Sequence, residues 1–157
     1  MKICMIGSGY VGLVSGACFS ELGNNVICVD KNLNKISNLK KGVIPIYEPG
    51  LDELIIRNFK QKRLEFSTNI SDSIKRSDLI FICVGTPTNS KTNEADLKYV
   101  FQVIKDIKKN LNKYKIIITK STVPVTTGDK IQKILTTQKN KKLFDVVSNP
   151  EFLREGE

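Results

Sequence analysis

Three glycines and one aspartate carry the plainest chemistry in this sequence. Gly7-Ser8-Gly9-Tyr10-Val11-Gly12 has G-x-G-x-x-G spacing, with the apolar run Ile3-Cys4-Met5-Ile6 before it and an amphipathic stretch after it. Between a strand and a helix, that spacing has a mechanical meaning. Gly7 permits a tight turn, Gly9 lets a diphosphate approach the backbone, and Gly12 lets the following helix pack closely on the sheet. The free amides at the start of that helix, those of Tyr10 and Val11 included, then face the anion. Asp30 closes a second apolar run, Val26-Ile27-Cys28-Val29, at the distance expected for a carboxylate that accepts hydrogen bonds from a ribose. Such a carboxylate also repels a 2′-phosphate, so the pattern favours NAD over NADP, although Lys31 beside it pulls the other way.

Further polar groups fall where ligands gather. Gly85-Thr86-Pro87 and Ser121-Thr122 lie just past two later apolar runs, at the edge where loops of a doubly wound sheet line a crevice. Their hydroxyls can bond cofactor or substrate, or can instead serve a turn or a helix cap. Glu151 and Glu155 are four apart, which places both on one face of a helix or turn. Paired carboxylates raise one another's pKa, which suits a general base near neutral pH. There is no histidine. The four cysteines lack C-x-x-C spacing and read as small core residues, so neither a metal site nor a disulfide framework is expected.

These groups need elements to hold them. Six strand-like runs, at 3–6, 26–29, 64–66, 79–84, 116–118 and 144–147, alternate with helical stretches at 11–22, 32–41, 50–59, 96–109 and 127–135. Gly23 and Gly42 stand in C-cap positions, and Asp96 is suited to begin its helix. The expected fold is α/β, a doubly wound, mainly parallel Rossmann-type sheet with helices on both faces, formed as one domain over residues 1–157. The helix after Pro45 and Pro49 is an insertion into that plan. No apolar run approaches the ~20 residues of a membrane span, and a soluble cytoplasmic protein is expected. The net charge of +9 is spread over scattered lysines without an aromatic platform, so a solvated surface is expected and nucleic acid is not.

Five pieces occur in a telling order: Gly7 to Val14, Pro45-Ile46-Tyr47-Glu48-Pro49-Gly50-Leu51, Cys83 to Thr88, Lys120-Ser121-Thr122-Val123-Pro124 and Ser148-Asn149-Pro150-Glu151-Phe152-Leu153-Arg154-Glu155-Gly156. The chain resembles the UDP-glucose and GDP-mannose dehydrogenases over its whole length, and Tyr47 to Leu54 and Ser121 to Val125 look more like the UDP-glucose branch. That resemblance implies NAD as cofactor and UDP-glucose or a related nucleotide sugar as substrate. The C6 alcohol would be oxidised in two hydride transfers, through an enzyme thioester hydrolysed to the uronate, a building block for polysaccharide.

By the same resemblance, Glu151 takes part in acid-base chemistry, with Thr122 beside it in the catalytic set. Residues Glu151, Phe152, Leu153, Arg154 and Glu155 contact substrate, with Glu155 also reaching the cofactor, and Lys35 contacts its adenosine end. Gly85, Thr86, Pro87, Ser121 and Thr122 complete the cofactor-binding set. The family's nucleophilic cysteine sits in a glycine-rich Cys-x-x-Lys-Asp motif beyond Glu157. None of the four cysteines has that context, so a fragment is expected: it binds NAD without turning over and lacks a central helix and a second nucleotide-sugar domain. The whole protein is expected to be a homo-oligomer. Alternatives are a GDP-mannose or UDP-N-acetylhexosamine dehydrogenase and, in another class, a non-catalytic NAD-sensing module, which has no need of the stretch from Asn149 to Glu155.

Overall fold

The apolar runs become six parallel strands in the order β3-β2-β1-β4-β5-β6. The computed structural model describes residues 1–90 and 93–151. In chain order the elements are β1 (Lys2–Ile6), α1 (Tyr10–Glu21), β2 (Asn25–Val29), α2 (Leu33–Lys40), α3 (Leu51–Lys60) and β3 (Leu64–Ser67). They continue with α4 (Ile70–Arg76), β4 (Leu79–Ile82), α5 (Lys98–Asn110), β5 (Lys115–Thr119), α6 (Thr127–Leu135) and β6 (Phe144–Ser148).

Central strands buried on both faces must be apolar at successive positions, and β1 meets that demand. Ile3 and Met5 pack with Leu13 and Ala17 of α1, Ile36 of α2 and Ile55 of α3. Cys4 and Ile6 point the other way, into a core shared with Ile74 of α4, Ile104 of α5 and Ile131 of α6. The first three helices therefore cover one face and the last three the other. The chain reverses its direction of winding between β1 and β4, and that switch point opens a crevice at the carboxyl ends of the strands.

Punctuation follows local chemistry. Gly23 and Gly42 take positive φ, +86° and +79°, just past the ends of α1 and α2. Asn32 caps α2, its Oδ1 accepting from Lys35 N at 3.0 Å. The inserted α3 is tied to α1 by Glu21, which accepts from Arg57 Nη2 at 2.9 Å and from Asn58 Nδ2 at 2.7 Å.

Four details differ from the sequence reading. β4 stops at Ile82 rather than Val84, because its neighbours end at Ile6 and Thr119, although the Cys83 N–H still donates to Ile6 O at 2.8 Å. α4, a seven-residue helix begun by Asn69, was not foreseen. α5 starts at Lys98 with Leu97 as N-cap, and Asp96 bonds the Lys98 N–H from one position further out. Cys18 is exposed on the outer side of α1, whereas the other three cysteines are buried. No helix among the described residues is long and apolar enough to cross a membrane.

Candidate functional site: a dinucleotide cleft at the switch point

The glycine turn is enforced sterically. Gly7 has φ of +107°, and a Cβ there would lie 2.6 Å from the Cys83 carbonyl oxygen. Its N–H donates to Val29 O at 2.8 Å, joining the ends of β1 and β2. A Cβ on Gly12 would fall 1.8 Å from Gly7 O, so the helix can sit this close only with glycine there. Gly9 is different. It is the N-cap of α1, with no side chain capping that end and no acid in the first turn, and a Cβ would meet no protein atom within 4 Å. Open space over uncapped amides at a positive helix end is what a diphosphate requires, so these residues fit a dinucleotide.

Asp30 lies immediately after β2, and its carboxylate is gathered into the turn. Oδ2 accepts from Ser8 N at 3.2 Å and from Lys35 Nζ at 2.9 Å, while Oδ1 accepts from Asn32 N at 3.0 Å. Burial pushes its pKa up, but the Asn32 N–H, the Lys35 ammonium and the Ser8 N–H together hold it below the usual carboxylate range. Asp30 is therefore charged at neutral pH and ready to accept ribose hydroxyls.

A cleft of about 430 Å³ joins these parts. Gly7 and Gly9 form its floor, Asp30, Lys31 and Lys35 one wall, and Val84 and Gly85 another. The remaining wall is α5, through Tyr99, Gln102, Val103 and Asp106, with Thr68 and Ile70 completing the rim. The α5 residues escaped the sequence reading. Their i, i+3, i+4, i+7 spacing places them on one helical stripe, which was a usable signal. A more open groove of about 450 Å³ along α6, bordered by Thr126, Lys130 and Thr136, contains none of the motif residues.

The other motif residues lie further along the same carboxyl edge. Thr86 Oγ1 donates to Thr122 O at 3.0 Å, bringing the loops after β4 and β5 together, with Pro87 next in line. The Ser121 hydroxyl is turned inward onto Val84 O at 2.7 Å and Ile82 O at 3.1 Å, which is a turn-holding role. Asn149 N donates to Thr119 O at 2.9 Å, which brings the chain after β6 towards the crevice. Glu151 comes near enough to be felt by Cys83, whose thiol is pushed up to about 12 by burial, eased by Lys120 and raised further by the Glu151 charge. A thiol held so firmly protonated is no nucleophile. Phe152, Leu153, Arg154 and Glu155 lie outside the described residues. Tyr10 Oη donates to Glu48 Oε2 at 3.1 Å, linking the glycine motif to the loop before α3, a contact across 38 residues that sequence spacing did not reveal. Among the described residues, no three metal-ligating side chains cluster.

A parallel sheet wound both ways from β1, a glycine turn at the switch point and an acid ending the second strand define a dinucleotide-binding domain of the Rossmann class. The chain belongs to the UDP-glucose/GDP-mannose dehydrogenase family and is its NAD binding domain, the family match running over residues 1–157. It is 57% identical over 156 residues to UDP-glucose 6-dehydrogenase TuaD of Bacillus subtilis, covering 99% of this chain and 34% of that protein. It is 51% identical to the UDP-glucose 6-dehydrogenase of Rhizobium meliloti, covering 99% of this chain and 36% of that protein. Among solved structures it resembles GDP-mannose dehydrogenase from Pseudomonas aeruginosa, with a TM-score of 0.91, 34% identity and coverage of 99% of this chain and 37% of the other. The chain thus spans about a third of the length of these relatives.

Proposed function

We propose that this domain serves a UDP-glucose 6-dehydrogenase, oxidising the C6 alcohol of UDP-glucose to the uronate with two equivalents of NAD. The observation that carries this reading is the identity to proteins of that name, 57% and 51% over nearly the whole chain, combined with a cleft whose glycine floor and charged Asp30 suit NAD. The choice of sugar nucleotide rests on the relatives.

NAD, when bound, supplies the hydride acceptor. The residues of this chain bind and position it: the Tyr10 and Val11 amides take the diphosphate beside Gly7, Gly9 and Gly12, and Asp30 with Lys35 takes the adenosine ribose. Gly85, Thr86, Pro87, Ser121 and Thr122 shape the crevice towards the reacting end. Glu151 is assigned the acid-base role with Thr122 in the same catalytic set, and Phe152, Leu153, Arg154 and Glu155 are assigned to substrate binding. The influence of Glu151 on Cys83, at the crevice edge, supports that placement. The covalent step needs a reactive thiolate that the buried Cys4, Cys28 and Cys83 do not provide. The whole protein is read as a cytoplasmic homo-oligomer feeding polysaccharide synthesis, without nucleic-acid or membrane partners.

The test is NADH formation by the intact protein with UDP-glucose, GDP-mannose and UDP-N-acetylmannosamine in parallel. Two NADH per UDP-glucose, and a Glu151→Gln variant that loses at least tenfold in kcat while keeping its Kd for NADH, are the expected results. Preference for another sugar nucleotide overturns the substrate assignment. Full activity in the Glu151→Gln variant overturns its role.

A further inference from the structure

Lys31 poses a problem for a cleft that takes NAD. It follows Asp30 directly, both residues line the cleft, and an ammonium at this end is the kind of group that neutralises a 2′-phosphate. The structure gives that ammonium another occupation. Lys31 Nζ sits over the ring of Tyr99, 4.7 Å from its centroid. Asp30 does not compete for it, because that carboxylate is already engaged by Ser8 N, Asn32 N and Lys35 Nζ. Tyr99 is in the first turn of α5 and lines the same cleft, so the contact joins the segment after β2 to α5.

We propose that Tyr99 is a specificity-determining residue for the cofactor: with Lys35 already paired to Asp30, by engaging the Lys31 ammonium it withholds a second cation that would help admit a 2′-phosphate. Asp30 keeps its charge in the Lys35 pair and disfavours that phosphate. Lys31 alone would weaken the repulsion. With the ring in place, a phosphorylated cofactor must break the Lys31–Tyr99 contact before it gains the lysine, whereas NAD carries no group that asks for it. The penalty is that of an exposed cation–π contact, a twofold to fivefold difference in binding, equivalent to ~0.5–1 kcal/mol. This inference concerns the adenosine end and stands independently of which sugar is oxidised.

Dissociation constants for NADH and NADPH, measured by fluorescence on the intact protein without sugar nucleotide, test it. Since Tyr99 also touches the cleft, the readout is the ratio of the two constants. Tyr99→Leu is expected to move that ratio twofold to fivefold towards NADPH, and Tyr99→Phe, which keeps the ring, to leave it unchanged. In a Lys31→Met background, Tyr99→Leu is expected to change the ratio no further. In the unliganded protein, the Lys31 ε-methylene proton resonances should lose their ring-current shift in Tyr99→Leu and keep it in Tyr99→Phe. An unchanged ratio in Tyr99→Leu, an equal shift in the Lys31→Met background, or resonances indifferent to the ring would each overturn the proposal.

Discussion

Gly9 and Gly12 stand three residues apart in one motif, yet glycine is needed at each for a different reason. At Gly12 the obstacle is the protein itself, since a Cβ would lie 1.8 Å from Gly7 O, a backbone atom that cannot step aside cheaply. Gly12→Ala should therefore lower stability by about 1–3 kcal/mol through overpacking, together with NADH affinity. At Gly9 the backbone is ordinary for any residue, with φ of −81°, and a Cβ meets nothing within 4 Å. Gly9→Ala should leave the unfolding free energy from urea titration within about 0.5 kcal/mol of the parent and still weaken NADH at least tenfold, by filling the place of the diphosphate. Undiminished NADH binding by Gly9→Ala would move the phosphate site elsewhere. At this scale the glycines and Asp30 were legible because their spacing is tied to backbone geometry. The roles of the hydroxyls were not. Whether Ser121 offers its proton to a ligand or to Val84 O depends on a rotamer and on a carbonyl 37 residues away, neither of which sequence spacing encodes.

Among the elements, α5 holds both the core and the cleft. Its buried stripe, Val100, Val103, Ile104 and Ile107, packs on the sheet, while Tyr99, Gln102 and Asp106 face the dinucleotide crevice beside Val103. Ile104 is fully buried, and Ile104→Ala should cost about 2–5 kcal/mol with an unchanged denaturant slope. Because the helix carries a wall of the cleft, NADH affinity should fall in the same variant, although residue 104 does not line it. A loss of stability with NADH affinity intact would show that the helix seats independently of its core contacts. α5 was readable because a strong 3.6-residue period runs for its full length. α4 was not readable, since its seven residues offer only Ile70 and Ile74 as apolar positions among serines and charges. Its formation rests on the Asn69 cap, which accepts from Asp72 N at 3.0 Å, and on complete burial of Ile74 against the sheet. β4 was read too long for the converse reason: Cys83 and Val84 suit a strand, but a parallel strand ends where its neighbours stop pairing.

The whole molecule couples its core to pH through one buried lysine and three buried thiols. Lys115 is fully buried, donating to Ser77 O at 2.6 Å, and burial with the nearby Lys113 charge lowers its pKa to about 8 despite Asp78. Burial, with the Cys83 charge adding to it, pushes the Cys4 thiol up to about 12; Cys83 stands equally high, and Cys28 is raised by burial as well. The two kinds of group oppose each other. Above pH 8 the unfolded chain binds the lysine proton that the folded chain has released, so this group makes stability rise with pH. Above an ordinary thiol pKa near 8.5 the folded chain keeps three thiol protons that the unfolded chain has lost, so these groups make stability fall. Stability from these groups should stay nearly level from pH 7 to 8 and then decline, by about 3 kcal/mol per pH unit near pH 10. Urea titrations across this range should give a slope near pH 10 that is shallower by about 1 kcal/mol per pH unit in Cys4→Ala. Lys115→Met should steepen the same slope to about 4 kcal/mol per pH unit, whatever it does to stability at pH 7. A slope unaffected by either substitution would mean that these buried groups titrate alike in the folded and unfolded chains, and that the alkaline limit of the fold lies with its surface charge instead.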